Sequence, residues 1–93
     1  MKNNKKQHVP VFFATDDNYV PYLVVSIRSL IDNASTNNSY MVYVLNTGLT
    51  TENKQVLKSM ETANVKINFV DLTEKIKDIY SKLEAQLRDY YSP

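Results

Sequence analysis

The 93-residue sequence contains no cysteine, no tryptophan, one glycine and one histidine. Without cysteine there is no disulfide framework and no thiolate metal site. That composition fits a reducing compartment, and the expected location is the cytoplasm or the inner face of its membrane. A Gly-rich dinucleotide loop or a P-loop needs several glycines, so the lone Gly48 excludes both phosphate cradles. His8 stands alone in a polar opening, which leaves no Ser-His-acid set and no cluster with metal-ligand spacing. No Asp-x-Asp triplet occurs either. No apolar run approaches the roughly 18 residues that cross a bilayer. Eleven basic and ten acidic side chains give a net charge of +1, so no field of one sign draws the chain to nucleic acid.

What is present is the composition of one ordinary globular domain, with 43% hydrophobic and 23% charged residues. A domain this small buries only about 60–65% of the surface its unfolded chain exposes, so its stability margin is thin. Residues 1–8, with Lys2, Lys5 and Lys6, read as a flexible solvated lead-in. They lack the apolar core of a signal peptide. The folded part is expected over residues 9–93.

Val9 to Thr15 is almost continuously apolar and ends at Asp16-Asp17-Asn18, the pattern of a strand buried on both faces. From Tyr19, apolar residues Val20, Leu23, Val24, Ile27, Leu30 and Ile31 recur at helical spacing, with Pro21 suited to the first turn. The polar stretch 32–39 ends that helix. Tyr40 to Leu45 is a second strand, with Tyr40 and Tyr43 as sheet residues. Gly48 turns the chain, and Thr50 or Thr51 caps a second helix. Val65 to Val70 is a third strand closed by Asp71. A third helix opens at Thr73-Glu74 with a stripe of Leu72, Ile76, Ile79, Tyr80, Leu83 and Leu87. The order β-α-β-α-β-α predicts right-handed crossovers and a parallel sheet, with ligands at the carboxyl ends of the strands. Three strands leave the last with a bare edge, a route to self-association, and the chain reads as an incomplete part of a larger domain.

The turn Thr15-Asp16-Asp17-Asn18-Tyr19 is the leading candidate site. A carboxylate and an amide can hydrogen-bond a base and a ribose, an adjacent tyrosine offers a stacking face, and a helix N-terminus follows. The same Asp and Asn residues also suit a plain turn and helix cap. Asp71 lies on the same rim and reads first as the start of a turn. A receiver-like phosphoacceptor using Asp16, Asp17 and Asp71 around magnesium is an alternative. A non-catalytic α/β fragment or module is another.

The stretch Val11-Phe12-Phe13-Ala14-Thr15-Asp16-Asp17-Asn18-Tyr19-Val20-Pro21-Tyr22, followed by Ser26-Ile27-Arg28-Ser29-Leu30, resembles the opening of glycosyltransferase family 8. The likeness continues through Val42 to Leu45, Leu49 to Lys54 and Ile67 to Asp71. It implies the amino-terminal half of a three-layer, Rossmann-like GT-A fold and a retaining transferase. A UDP-activated hexose is the implied donor and a divalent metal, usually manganese, the implied cofactor. Carried onto this chain, Asp16 and Asn18 hydrogen-bond the uridine, Tyr19 stacks on it, and Ala14 lines the same site. Asp17 belongs to the same turn but is not among the residues carried over as uridine contacts, and Arg28 on the first helix receives no ligand role. The family's metal-binding Asp-x-Asp is expected beyond Pro93, so these residues alone hold no metal and the piece alone is expected to be inactive. The acceptor, whether glycan, lipid or protein, lies outside what the resemblance implies.

Overall fold

The computed structural model describes residues 7–91. Lys2, Lys5 and Lys6 of the lead-in, and Ser92-Pro93 at the other end, lie outside the described residues. Three strands, β1 (Gln7–Ala14), β2 (Asn38–Asn46) and β3 (Val65–Asp71), form one sheet in the order β1-β2-β3. Both pairings are parallel and run without a bulge, from Gln7 opposite Asn38 to Ala14 opposite Leu45, and from Tyr40 opposite Val65 to Asn46 opposite Asp71. Helix α1 (Val20–Asn33) joins β1 to β2, α2 (Thr51–Lys58) joins β2 to β3, and α3 (Thr73–Tyr91) follows. This is the parallel α/β arrangement expected from the element order.

Periodicity explains which faces meet. In β2, Val42, Val44 and Asn46 are buried, and in β3, Val65 and Ile67; these side chains share one side of the pleat. Against that side pack Val20, Leu23 and Ile27 of α1 and Leu57 of α2, with Val11 and Phe13 of β1 partly buried beside them. Both crossovers therefore lie on one face, as two right-handed crossovers must when the sheet grows in one direction.

The opposite face carries Phe12, which is 63% exposed and stacks on Tyr43 with ring centroids 5.0 Å apart at 17°. A depression of about 340 Å³ on this face is lined by His8, Pro10, Met41 and Tyr43 at the amino ends of the strands, away from the ligand-binding rim of this fold class. Among the described residues the sheet and one helical layer are formed. Helix α3 leaves Ile79, Tyr80, Leu83 and Leu87 exposed, and of the expected stripe only Ile76, with Leu72 just before the helix, is half-buried. The molecule is accordingly long, 70 Å in its greatest extent against 16 Å in its least.

Strand β1 begins at Gln7, earlier than its apolar run, because β2 extends back to Asn38 and supplies backbone partners to Gln7 and His8. The outer edge of β3 is not wholly bare. At its midpoint the Ile67 N–H donates to Glu61 Oε2 at 2.7 Å and the Ile67 carbonyl accepts from Lys58 Nζ at 2.8 Å. Lys58 and Glu61 also pair with each other at 3.0 Å. Side chains thus occupy the Ile67 ladder groups that another strand would need at that point of the edge.

The amide of Ile67, and secondarily Lys58, holds the Glu61 carboxyl below its ordinary value. A depressed folded-state pKa gives stabilisation that is present above the unfolded value near 4.3 and lost as pH falls through the folded one. Glu61→Ala is therefore expected to raise the self-associated fraction at neutral pH, read by light scattering on a sizing column. An unchanged mass profile across concentrations would show that the edge is guarded by something else.

Candidate functional site

The carboxyl rim of the sheet is built from three short turns. After β1 comes a single 3-10 turn, Asp17–Tyr19, then α1. Asp16 caps it: its Oδ1 accepts from the N–H groups of Asn18 at 2.9 Å and Tyr19 at 3.2 Å. Pro21 follows in the first turn of α1, where a missing N–H costs no hydrogen bond. At the other end of the turn, Thr15 N–H donates to the Leu45 carbonyl at 3.0 Å, tying it to β2.

After β2, Asn46 shapes the rim. It is 3% exposed and the only buried polar residue among the described ones. Its Oδ1 accepts from Gly48 N–H at 2.9 Å and Leu49 N–H at 3.2 Å. Its Nδ2 donates to the carbonyls of Val44 at 3.2 Å and Val70 at 3.3 Å. Gly48 sits at φ +112°, and a Cβ there would meet nothing within 4 Å, so glycine answers a torsional demand and not a steric one. Thr50 then caps α2, its Oγ1 accepting from Asn53 N–H at 3.2 Å. After β3, Asp71 Oδ1 accepts from the Thr73 hydroxyl at 2.6 Å and the Thr73 N–H at 2.9 Å, starting α3. Those bonds, the hydroxyl first, lower the Asp71 pKa.

Each residue singled out in the sequence has a definite place. Ala14 ends β1, exposed and opposite Leu45. Asp16, Asn18 and Tyr19 are together on the rim and exposed, with the Tyr19 ring 61% open to solvent. Tyr22, one turn into α1, lies beside it with ring centroids 6.2 Å apart at 45°. Asp16 uses Oδ1 as a cap, so its second oxygen and the Asn18 amide meet no protein partner among the described residues, and the Tyr19 ring meets only Tyr22 at its side. The turn-forming and ligand-binding readings of Asp16 are compatible, because one oxygen serves each. Arg28 is exposed on α1, with no polar side-chain partner among the described residues. Tyr40 is a sheet residue whose phenol oxygen accepts from Asn38 Nδ2 and Ser35 N–H.

Asp17 turns away from its neighbours to another crossover, where Oδ1 accepts from Asn53 Nδ2 at 2.8 Å and Thr50 N–H at 3.1 Å. These two bonds, Asn53 first, hold its carboxyl below the ordinary range. Sequence reasoning did not connect these three residues. The available signal was an acid at the end of one strand and a capped helix with a polar first turn after the next. Among the described residues no three of His, Asp and Glu gather as a metal-ligand set. Asp16, Asp17 and Asp71 are engaged in three different turns, which leaves the phosphoacceptor reading without a shared metal pocket. Nor do these residues fit the manganese that the family resemblance implies.

The arrangement is a polar, aromatic rim at the carboxyl ends of parallel strands. A model of the family described as Glycosyl transferase family 8 matches residues 10–93. Among solved structures, the chain is similar to the apo structure of WbbM, a bifunctional glycosyltransferase, with 30% identity and a TM-score of 0.67. That similarity covers 77% of this chain and 13% of the other, so the chain spans a small part of the protein it matches. No curated protein sequence matches it. Because the family match runs unbroken from Pro10 through the rim turn and all three strands, the chain belongs to glycosyltransferase family 8.

Proposed function

We propose that this chain forms the nucleoside-binding wall of a retaining, GT-A type transferase that moves a hexose from a UDP-sugar to a glycan, lipid or protein acceptor. The observation that carries the reading is the convergence on one exposed turn of an open aromatic face, a free amide and a half-used carboxylate. Those are the groups a uracil and ribose require: stacking area from Tyr19, and directional hydrogen bonds from Asn18 and the free oxygen of Asp16. Ala14 keeps the rim low beside them. The position also fits, since parallel α/β sheets bind ligands beyond the carboxyl ends of their strands.

Binding a nucleoside is separate from cleaving the sugar–phosphate bond. The departing diphosphate develops charge, and manganese would supply electrostatic stabilisation to it. Residues 7–91 offer no ligand set for that ion, so on this reading the chain binds the donor's nucleoside end without completing the reaction, and acts in the cytoplasm as part of a larger enzyme. No helix among the described residues is long and apolar enough to cross a membrane.

The reading is tested by titrating UDP into the isotopically labelled chain, followed by amide NMR. Weak, saturable shifts centred on Asn18 and Tyr19 are expected, with ADP a poorer ligand. Asp16→Ala and Tyr19→Ala should each weaken UDP binding by roughly 1–3 kcal/mol, the scale of a lost hydrogen bond to a charged group or a lost aromatic stack. Equal affinity in wild type and both variants would remove the turn from the site.

A further inference from the structure

Asp17 differs from the other rim carboxylates in where its partners come from. Asp16 and Asp71 bond only to residues two or three positions ahead. Asp17 Oδ1 receives the Asn53 side-chain amide at 2.8 Å, the Thr50 N–H at 3.1 Å and the Thr50 hydroxyl at 3.4 Å, all from the start of α2.

The bonds made by Asp16 shape the turn internally but cannot set where it sits on the sheet. Two contacts can. Thr15 N–H to the Leu45 carbonyl fixes its beginning, and Asp17 fixes its far side. The anchor is firm, because α2 is seated by the buried Leu57 and by Leu49 immediately before its cap. It also suits an anion, since a helix N-terminus offers a free N–H and the positive end of the dipole. The carboxyl is drawn below its ordinary value by Asn53 foremost and by Thr50.

We propose that Asp17 is a positioning residue: it clasps the Asn18–Tyr19 wall to the first turn of α2, so that Asn53, which touches no ligand, sets the nucleotide affinity. This rests on the nucleoside reading above. The consequence is a coupling between two crossovers. Loss of either half of the clasp lets the turn drift, and Tyr19 and Asn18 then have to be reordered when the base arrives.

The experiment uses the full chain with UDP as probe, in Asp17→Ala, Asp17→Asn, Asn53→Ala and the Asp17→Ala/Asn53→Ala pair. Asp17→Ala and Asn53→Ala should each raise the UDP dissociation constant roughly 10–100-fold, the worth of a charged hydrogen bond. The pair should be no worse than Asp17→Ala within about twofold, since both remove one interaction. Asp17→Asn keeps an acceptor oxygen and should stay within about threefold of wild type.

If Asn53→Ala leaves the constant unchanged while Asp17→Ala raises it, Asp17 contacts the ligand directly and the proposal falls. A lowered unfolding midpoint with unchanged affinity at temperatures where the variant is folded also overturns it. A second readout needs no ligand: Asn53→Ala should move the amide resonances of Asn18 and Tyr19 on the other crossover. Stationary resonances refute the clasp. Moved resonances in a chain that fails to bind UDP keep the clasp and refute the nucleotide.

Discussion

Replacing Asn46 with alanine is expected to destabilise the fold by roughly 2–4 kcal/mol, because it strands two backbone donors at once. The side chain accepts from Gly48 and Leu49 and donates to Val44 and Val70. Leu49 is buried, so its N–H has no easy recourse to water. The urea midpoint measures this, with an unchanged denaturant slope showing that the unfolded state is the same. A shift worth less than about 0.5 kcal/mol, the size of an ordinary surface change, would show that the turn closes without Asn46.

Asn46→Asp separates the two halves of the network. It keeps the acceptor for Gly48 and Leu49 but sets a carboxylate against the Val44 and Val70 carbonyls. Burial and those carbonyls should raise the new carboxyl's pKa in the folded state. The penalty then appears as pH rises through the unfolded value near 4 and grows toward the folded one. This variant should consequently lie closest to wild type in acid and lose stability as pH rises, whereas the contribution of Glu61 grows as pH rises.

Ile27→Ala should cost about 2–5 kcal/mol, the range for truncating a large aliphatic side chain in a closed core. Ile27 has no solvent exposure and lies in the cluster where α1 meets Val42 and Val44 of the central strand. A 93-residue domain carries about 5–14 kcal/mol in all. One truncation at this point can therefore remove a large fraction of the total. Val25 on the same helix is exposed, and Val25→Ala should change stability by less than about 0.5 kcal/mol. Similar losses in the two variants, by thermal or chemical unfolding, would mean that α1 is not seated through Ile27.

The same comparison shows what was legible in the sequence. Val20, Leu23 and Ile27 announce themselves by spacing, because burying one helical face requires that period whatever the sheet looks like. The strand centres were readable for a related reason. Their ends were not: Gln7, His8, Asn38 and Ser39 are polar and belong to the ladder because each has a backbone partner. The stripe on α3 shows how amphipathicity falls short, since it reports that a helix has an apolar side and not what meets it.

The candidate site divides in the same way. Residue types and order brought Asp16, Asn18 and Tyr19 to one exposed turn, and family likeness named the ligand class. Nothing in Asp16-Asp17 distinguishes an acid that caps its own turn from one that reaches Thr50 and Asn53. That difference depends on which neighbouring crossover stands within 3 Å. Asn46 was hidden for a similar cause. An asparagine two positions before a glycine reads as a surface turn former, and only the third strand, through Val70, makes it a buried four-bond junction.

The uniform register of the sheet bears on how the chain assembles. Partners in the β1–β2 ladder are all 31 positions apart and those in the β2–β3 ladder all 25. Closing the longer loop costs only about 0.2 kcal/mol more than closing the shorter, since closure entropy grows with the logarithm of length. Neither ladder has an entropic head start, so the order of emergence from the ribosome decides. The amino-terminal crossover can zip onto the middle strand while the rest is still being made, and the outermost strand then adds to an edge already laid down.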